Sequence, residues 1–346
     1  MEKIKVIVTA VGCPGASTLI KKLKNNGERE IEIIGTDMDK EVVGRFLCDK
    51  FYTVSSGKSD EFIEELLQIA NKESVDAILS ESSNEVHNLA LNKHKFEDIG
   101  VKVLVSDPEA IELANNKYKM YEVLRKNTDL DLPKYYYPKN LDEFVEYAYK
   151  LGYPEQPICF KPHIGKGSRG FRIIDSRVSR KDLLMNYKPN SRYMGLEEFK
   201  EIFKDEPDFP DLLLMEFVEG NEITADSICY KGNELFTTVK SVEEARWGVI
   251  VRGELLDRPD ILEQTKTILK HIKLSYNVNI QFVGDKLIEI NPRVSTFIYQ
   301  ENLIQPYLSI KYVLGELDKK ELNEYKNEID YGLRMIRYMD QVFWKQ

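Results

Sequence analysis

The sequence is poor in the residues that build disulfide frameworks and zinc sites. Its 346 residues include only four cysteines, which are scattered and form no CxxC pair: Cys13, Cys48, Cys159 and Cys229. The four histidines (His87, His94, His163 and His271) show no metal-ligand spacing. No apolar run approaches the roughly 20 residues that cross a bilayer. The start, MEKIKVIVTAVG, lacks the long apolar core and cleavage site of a signal peptide. These absences argue against a disulfide scaffold, a zinc protein and a membrane protein, and they predict a cytoplasmic one.

Charge of one sign is not in large excess. The 49 basic and 58 acidic residues give a net charge of −9, which argues against broad nucleic-acid binding but not against local phosphate capture. With 42% apolar and 31% charged residues, the chain is long enough for two or three globular domains. It has no internal repeats or low-complexity tracts.

Residues 1 to about 110 alternate strand and helix patterns, which predicts a parallel sheet with helices on both faces. A single helix is expected from Glu85 to Lys95. The first turn, VGCPGAS, places Gly12, Gly15 and Ser17 at a helix N-terminus that could hold an anion, but it is not GxGxxG. Asp37 ends the second strand, where a nucleotide-binding fold would place a ribose ligand, although a structural role is favoured.

Three later stretches suit a nucleotide. Lys161 precedes the loop Gly165-Lys166-Gly167-Ser168-Arg169-Gly170, whose glycines would let N–H groups close over phosphates. In MEFVEG, the backbone of Phe217 and Val218 could read an adenine edge while Glu216 accepts from its amino group. Glu222 follows the Gly220 turn, within reach of ribose hydroxyls. By itself the loop is a weak signal, because glycine-rich hairpin tips are common, and in isolation solvated strand-edge charge is the favoured explanation of the two glutamates.

Asn279 to Thr296, NIQFVGDKLIEINPRVST, predicts a β-hairpin around Gly284-Asp285. Glu289 and Asn291 leave one face of its second arm, and Arg293 follows Pro292; these groups suit a hard cation and the phosphates it bridges. Gln281 joins that face only if the loop holds an odd number of residues, because a strict two-residue loop would turn it away. The alternative is an edge hairpin with ordinary outward polar residues.

Taken together and in this order, these motifs resemble the ATP-grasp superfamily of ligases, and above all one unit of the carbamoyl-phosphate synthetase large subunit and its stand-alone relatives. EINPRVS is the most specific motif, and the segments 48–56 and 106–117 add to the likeness. The resemblance implies an α/β fold that becomes α+β towards the C-terminus. A Rossmann-like pre-ATP-grasp domain would span 1–112, and a two-subdomain ATP-grasp domain 113–346. A small lid at about 118–214 would carry the phosphate loop 165–170.

The resemblance also implies roles for particular residues. Arg293, facing the transferred phosphoryl group, and Lys161 would be catalytic, and Gln281, Glu289 and Asn291 would bind Mg²⁺, with Mn²⁺ as a substitute. The ATP-binding residues would be Lys117, Lys161, Gly165, Lys166, Gly167, Ser168, Glu216, Phe217, Val218 and Glu222. Arg246, Arg252 and Ser295 are guesses for substrate contacts.

The implied reaction joins a small carboxylate to an amine through an acyl phosphate, releasing ADP and phosphate. Two alternatives are activation of bicarbonate to carboxyphosphate and a non-catalytic nucleotide-binding subunit; a nicotinamide-dependent oxidoreductase is disfavoured because GxGxxG is missing. Gln281 departs from the acid that many amide-forming relatives carry. The chain also has only a single unit, which argues against authentic carbamoyl-phosphate synthesis from glutamine. The sequence leaves both a monomer and a homodimer open.

Overall fold

The computed structural model describes residues 2–165, 169–188, 192–246, 248–295 and 298–345. The chain forms two compact units. The first comprises Met1–Ala114, Asn221–Phe282 and Glu289–Gln346, and the second comprises Asn115–Gly220 and Val283–Ile288. The boundary expected between residues 112 and 113 stays a prediction.

The N-terminal part of the first unit is a parallel sheet of strand order β3-β2-β1-β4-β5. The α/β expectation for this part is therefore confirmed. Its elements are β1 (Ile4–Thr9), α1 (Ala16–Lys24), β2 (Ile31–Asp37), a 3-10 helix (Val43–Phe46), β3 (Lys50–Thr53), α2 (Glu61–Glu73), β4 (Ala77–Ser80), α3 (Val86–Leu91), α4 (Lys93–Glu97), β5 (Lys102–Val103) and α5 (Pro108–Asn115).

One local prediction for this part of the chain was wrong, and one strand was missed. The helix expected from Glu85 to Lys95 is divided into α3 and α4 at Asn92, whose backbone leaves the helical region and whose amide donates to the carbonyl of Asn88, 3.0 Å away. A short polar side chain that competes for backbone groups in this way favours helix ends over helix interiors. Strand β3 was not predicted, because both of its ends are exposed and its apolar pattern is short.

The second unit packs an antiparallel-rich sheet of order β6-β10-β7-β8-β9 against helices. Its core is rich in phenylalanine: Phe144, Phe160 and Phe199 are buried against one another. Its elements are α6 (Lys117–Asn127), β6 (Tyr135–Tyr136), α7 (Leu141–Lys150), β7 (Ile158–Pro162), β8 (Arg172–Ile174), α8 (Arg180–Asn186), β9 (Tyr193–Met194), α9 (Leu196–Phe203) and β10 (Leu212–Glu216).

The remaining strands form a mainly antiparallel sheet of order β13-β14-β12-β11-β15-β16, with β17 on β14. These strands and the helices between them are β11 (Glu222–Tyr230), β12 (Asn233–Val242), β13 (Glu244–Arg246), β14 (Val249–Leu256), α10 (Pro259–Ile272), β15 (Tyr276–Val283), β16 (Lys286–Asn291), α11 (Gln305–Val313), α12 (Lys319–Glu324), a 3-10 helix (Tyr325–Glu328) and β17 (Arg334–Ile336).

One hydrophobic core ties the first unit together across the sequence. The buried face of α1, spaced as Ala16, Leu19, Ile20 and Leu23, packs with β1 and β2 in the pattern of an amphipathic helix. Val294 and residues of α11 bury their side chains in the same cluster. The segment after the hairpin is therefore fixed against the N-terminal sheet.

Candidate functional site

Two buried lysines of the second unit are held by main-chain carbonyls. Lys161, on β7, is 8% exposed, and its Nζ donates to the carbonyl of Ile288 at 3.1 Å. Lys117, at the start of α6, is 4% exposed, and its Nζ donates to the carbonyl of Gly165 at 3.1 Å. Asn116 caps α6 by accepting from the backbone of Lys119, which fixes where Lys117 begins the helix. Both ammonium groups thus occupy defined positions inside the unit.

The loop between β7 and β8 follows the expected strand-loop-strand pattern. Gly170 has φ of +74°, and a Cβ there would lie 2.7 Å from the ring of Pro162, so the position requires glycine. Lys166, Gly167 and Ser168 lie outside the described residues. Their expected contacts with phosphate stay a prediction.

Two residues of the proposed adenine-binding segment, Glu216 and Phe217, already form hydrogen bonds within the protein. The carboxylate of Glu216 accepts from Lys286 Nζ at 2.8 Å and from the backbone N–H of Lys134 at 3.1 Å. The N–H of Phe217 donates to the carbonyl of Pro157 at 3.2 Å. Val218 follows as a half-buried residue outside any strand. Lys286 is a partner of Glu216 that sequence reasoning missed, because the two are 70 residues apart.

The hairpin brings the side chains of Asn279 and Asn291 together. Its turn is Gly284-Asp285, with Gly284 at φ +57°, which in an undisturbed hairpin would turn Gln281 away from Glu289. In β16, Ile288, Glu289 and Asn291 are half-buried. Asn291 Nδ2 donates to Asn279 Oδ1, 3.4 Å away, so these two side chains lie together. The face on which Gln281 lies stays a prediction.

Two side chains of the second unit hold the backbone of β16. The carbonyl of Ile288 accepts from Tyr121 Oη at 3.1 Å as well as from Lys161, and the carbonyl of Leu287 accepts from Tyr121 at 2.9 Å. These two side chains therefore anchor the backbone of β16 immediately before Glu289.

Asn291 belongs to a buried polar network that the sequence did not reveal. Asn279 Nδ2 donates to Asp226 Oδ1 at 2.9 Å, and the other oxygen of Asp226 pairs with Lys240. Asp226 and Lys240 are both fully buried. Burial lowers the pKa of Lys240, and the Asp226 carboxylate opposes that shift. No spacing in the sequence signals this pairing, which depends on the register of β11 against β12.

Arg293 is fixed from two directions. Its Nε donates to Ser83 Oγ at 2.9 Å and its backbone N–H donates to the carbonyl of Asn291, also at 2.9 Å. Of the three residues guessed to contact substrate, Arg246 lies on β13, Arg252 lies on β14, and Ser295 lies two residues after Arg293. Arg246 and Arg252 are largely exposed and both pair with Glu244, while Ser295 is half-buried beyond Arg293.

A magnesium ion fits the donor set of the hairpin. Within the described ranges, no cluster of three or more histidine, cysteine, aspartate or glutamate residues could hold a metal. The set Gln281, Glu289 and Asn291 offers one carboxylate and two amide oxygens, which are hard ligands that Mg²⁺ accepts when phosphate oxygens complete its coordination. Its role as a metal site stays a prediction.

Three cysteines are unsuited to nucleophilic roles. Burial raises the pKa of Cys13, Cys48 and Cys159 to about 12, so their thiols stay protonated.

None of the helices in the described ranges is long and apolar enough to cross a membrane.

Comparisons with known proteins agree with this architecture. The family described as "PylC-like, N-terminal domain" matches residues 6–104, and "ATP-grasp in the biosynthetic pathway with Ter operon" matches residues 208–335. The carbamoyl phosphate synthase large chain of Clostridium acetobutylicum is 24% identical over 321 residues, which cover 87% of this chain and 26% of that protein. The same protein of Methanosarcina acetivorans is 28% identical over 258 residues, or 68% of this chain and 22% of that one. The chain therefore spans about a quarter of these relatives' length.

Solved structures share the fold. N5-carboxyaminoimidazole synthetase from Staphylococcus aureus has a TM-score of 0.64 at 14% identity, covering 94% of this chain and 86% of that chain. The biotin carboxylase domain dimer of Hydrogenobacter thermophilus 2-oxoglutarate carboxylase, in complex with MgADP, ADP and bicarbonate, has a TM-score of 0.58 at 20% identity. It covers 91% of this chain and 71% of that chain.

The likeness inferred from EINPRVS and the preceding motifs is thus confirmed at the level of fold and family. ATP-grasp enzymes generally use ATP to activate and ligate a carboxylate. The chain is an ATP-grasp superfamily protein, related to the carbamoyl phosphate synthase large chain and, over residues 6–104, to PylC-like proteins, and it shares its fold with biotin carboxylase and N5-carboxyaminoimidazole synthetase.

Proposed function

We propose that this protein is an ATP- and Mg²⁺-dependent ligase that activates a small carboxylate as an acyl phosphate and joins it to an amine. One oxygen of the carboxylate attacks the γ-phosphorus of ATP, and ADP leaves. The amine nitrogen then attacks the acyl carbon, the bond from carbon to the phosphate oxygen breaks, and phosphate leaves. Such chemistry depends on positioning and charge stabilisation rather than on a protein nucleophile.

The observation that carries the proposal is the bond from Lys161 to the carbonyl of Ile288. It ties the lysine assigned to phosphate to the residue directly before Glu289, which is assigned to the metal. A lysine that contacts β- or γ-phosphate needs a fixed position, and this hydrogen bond supports one.

The remaining residues support parts of the same reaction. Mg²⁺, when bound by Gln281, Glu289 and Asn291, would neutralise charge on the bridged phosphates. Arg293, held by Ser83, would face the transferred phosphoryl group. Lys117, Gly165, Lys166, Gly167 and Ser168 would surround the phosphates. The backbone of Phe217 and Val218, with Glu216, would bind adenine, and Glu222 the ribose.

A second candidate is activation of bicarbonate to carboxyphosphate, followed by a carbamoyl product. Gln281 supports it, because carbamoyl-phosphate synthetases resemble this chain in carrying glutamine at that position. The 24% and 28% identical synthase large chains also support it, although each is about four times as long as the matched segment.

A coupled ADP-release assay over paired panels of acids and amines, with product masses read afterwards, tests the proposal. We expect ADP and phosphate to appear only when both an acid and an amine are present. AMP and pyrophosphate would refute the acyl-phosphate route. ADP release that needs bicarbonate but no organic acid would favour the second candidate, and tight ATP binding with no turnover would favour a non-catalytic subunit.

A further inference from the structure

The segment between β4 and α3, residues 81–85, is an internally bonded turn in the first unit. Ser80 Oγ accepts from the N–H of Ser82 at 3.3 Å, and Ser82 Oγ accepts from the N–H of Asn84 at 3.2 Å. The carbonyl of Ser82 also accepts from the N–H of Glu85 at 3.1 Å. Serine side chains that bond the backbone two residues on are typical of ordered turns. The backbone after β4 is therefore well fixed.

The hydroxyl of Ser83 has a partner far away in the sequence. While Ser80 and Ser82 bond within the segment, Ser83 Oγ accepts from Arg293 Nε at 2.9 Å, across a separation of 210 residues. Both residues are half-buried. The carboxyl end of β4 thus reaches the residue assigned to the transferred phosphoryl group.

A second contact fixes the plane of the Arg293 guanidinium. Its Nη1 donates to the carbonyl of Val294 at 2.8 Å, and Val294 is buried in the same hydrophobic cluster as Leu79 of β4. A guanidinium is planar and rigid, so bonds on two of its nitrogens define its orientation. The third nitrogen, Nη2, makes no hydrogen bond to any residue that the structure describes. Nη2 is therefore the nitrogen left to meet a ligand.

Of the two contacts, the one from Ser83 ties the arginine to another element of the fold. Val294 follows Arg293 in the chain, so its carbonyl moves with the arginine. Ser83 instead belongs to the parallel sheet. Glu81, in the same segment, is buried and interacts electrostatically with Arg293, which places the guanidinium near this segment independently of the hydrogen bond.

We propose that Ser83 is a positioning residue for phosphoryl transfer, which holds Arg293 so that Nη2 is presented to the transferred phosphoryl group. The inference rests on the proposed function, which assigns Arg293 to that group, and it adds the N-terminal sheet to the chemistry. A donor that is already aimed at developing charge needs no reorganisation during the reaction. A small misplacement of such a donor lowers the rate.

The test compares the wild type with Ser83→Ala and with Ser82→Ala, the matched control from the same turn. A second pair, Ser83→Thr and Ser83→Val, has nearly the same shape and differs in the hydroxyl, so it decides the question if the alanine variant folds poorly. Calorimetry measures binding of MgADP and then of aluminium fluoride to the MgADP complex. Aluminium fluoride mimics the transferred phosphoryl group and requires neither acid nor amine.

A spectroscopic measurement reports on the arginine itself. In protein labelled with ¹⁵N-arginine, the Nε–H signal of Arg293 is assigned by its loss in Arg293→Lys, and its exchange with solvent is followed by NMR. The hydrogen bond to Ser83 should slow this exchange. A role of Ser83 that is confined to the turn would leave the exchange unchanged.

We expect Ser83→Ala and Ser83→Val to weaken aluminium fluoride binding on the order of 10-fold, as for loss of a hydrogen bond to a charged group, with unchanged affinity for MgADP. Both should also speed exchange of the Arg293 Nε–H. Ser83→Thr and Ser82→Ala should behave as the wild type. With the acid and amine found in the ADP-release panel, the two weakened variants should lower kcat and leave the KM for ATP unchanged.

Three results would overturn the proposal: undiminished aluminium fluoride binding by Ser83→Ala, equal losses in Ser83→Ala and Ser82→Ala, or equal losses in the threonine and valine variants. Failure of the wild-type MgADP complex to bind aluminium fluoride would overturn it as well. Absence of wild-type turnover with every pair of acid and amine would count against the ligase function alone, because the binding and exchange measurements use neither substrate.

Discussion

The side-chain amide of Asn291 donates to the side-chain oxygen of Asn279, 3.4 Å away, and Asn279 in turn donates to the buried carboxylate of Asp226 at 2.9 Å. With its nitrogen engaged in this way, Asn291 can present only its oxygen to a cation. The network thereby orients one of the proposed metal ligands. Residues that orient a ligand commonly matter almost as much as the ligand itself.

Asn279→Ala should therefore weaken the use of metal. We expect the Mg²⁺ concentration for half-maximal ADP release to rise on the order of 10-fold, since the loss of such a supporting partner costs about 10- to 100-fold in affinity or activity. The matched control is Asn277→Ala on the same strand. Asn277 is also buried, but its amide atoms pair with none of the described residues. Equal effects of the two substitutions would show that the network does not act on the metal.

Glu289→Gln should abolish turnover while leaving the fold intact, because Glu289 is the only carboxylate of the proposed metal set. The measurement is steady-state ADP release, with circular dichroism as the check on folding. Glu301→Gln, an exposed carboxylate beyond the hairpin, is the control. A near-wild-type rate for the Glu289 variant would refute the metal assignment.

Lys161→Ala should chiefly impair nucleotide use. We expect the KM for ATP to rise at least about 10-fold, since the lost group is a buried, charged hydrogen-bond donor. Lys150→Ala, which removes an exposed lysine at the end of α7, should leave the KM unchanged. If the two variants have the same KM, Lys161 serves only to anchor Ile288.

Lys240→Met should destabilise the protein by about 3–5 kcal/mol, because it leaves Asp226 buried without its counter-charge. The double variant Lys240→Met/Asp226→Leu should recover a large part of that loss, since no unpaired charge remains. Urea unfolding of the three proteins measures both values. A single variant as stable as the wild type would show that Asp226 finds its compensation elsewhere.

Stability should fall as pH rises from about 5 to above 8. Burial raises the pKa of Glu81 to about 8 and that of Glu85 to about 7, so the folded state binds more protons than the unfolded state in this interval. The contribution is fully present below the unfolded pKa near 4.5 and is lost through the folded pKa values. Each tenfold difference in proton affinity between the two states changes the free energy of unfolding by about 1.4 kcal/mol.

The positive charges of Arg293 and Arg337 lower the pKa of Glu81 and so oppose the effect of burial. For Glu85, hydrogen bonds from Thr9 and Ser80 lower the pKa, and the charge of Asp37 raises it. These groups are the same in Glu81→Gln, which should have a shallower slope of unfolding free energy between about pH 5.5 and 8.5. Urea unfolding at several pH values makes the comparison, with Glu64→Gln as the control. Parallel slopes for all three proteins would exclude Glu81 as the titrating group.

Local patterns were enough for the family and for most of the N-terminal sheet, but not for β3. Alternating apolar runs predicted β1, β2 and β4, because each strand is buried and bounded by turn residues. They failed at Asn92, where one side chain divides a helix. The hairpin around Gly284 was also predicted, but the face on which Gln281 lies was left conditional on its loop.

The sequence by itself determined most of the strands and helices and the order of the motifs, since these follow from spacing between neighbours. Tertiary structure decided which distant groups meet: Lys161 with the carbonyl of Ile288, and Asp226 with Lys240. It also left Glu81 Oε1 with no hydrogen-bond partner among the described residues. These contacts join residues far apart in the chain or depend on strand register. A shift of one residue reverses the face of every side chain, and short-range periodicity does not encode that choice.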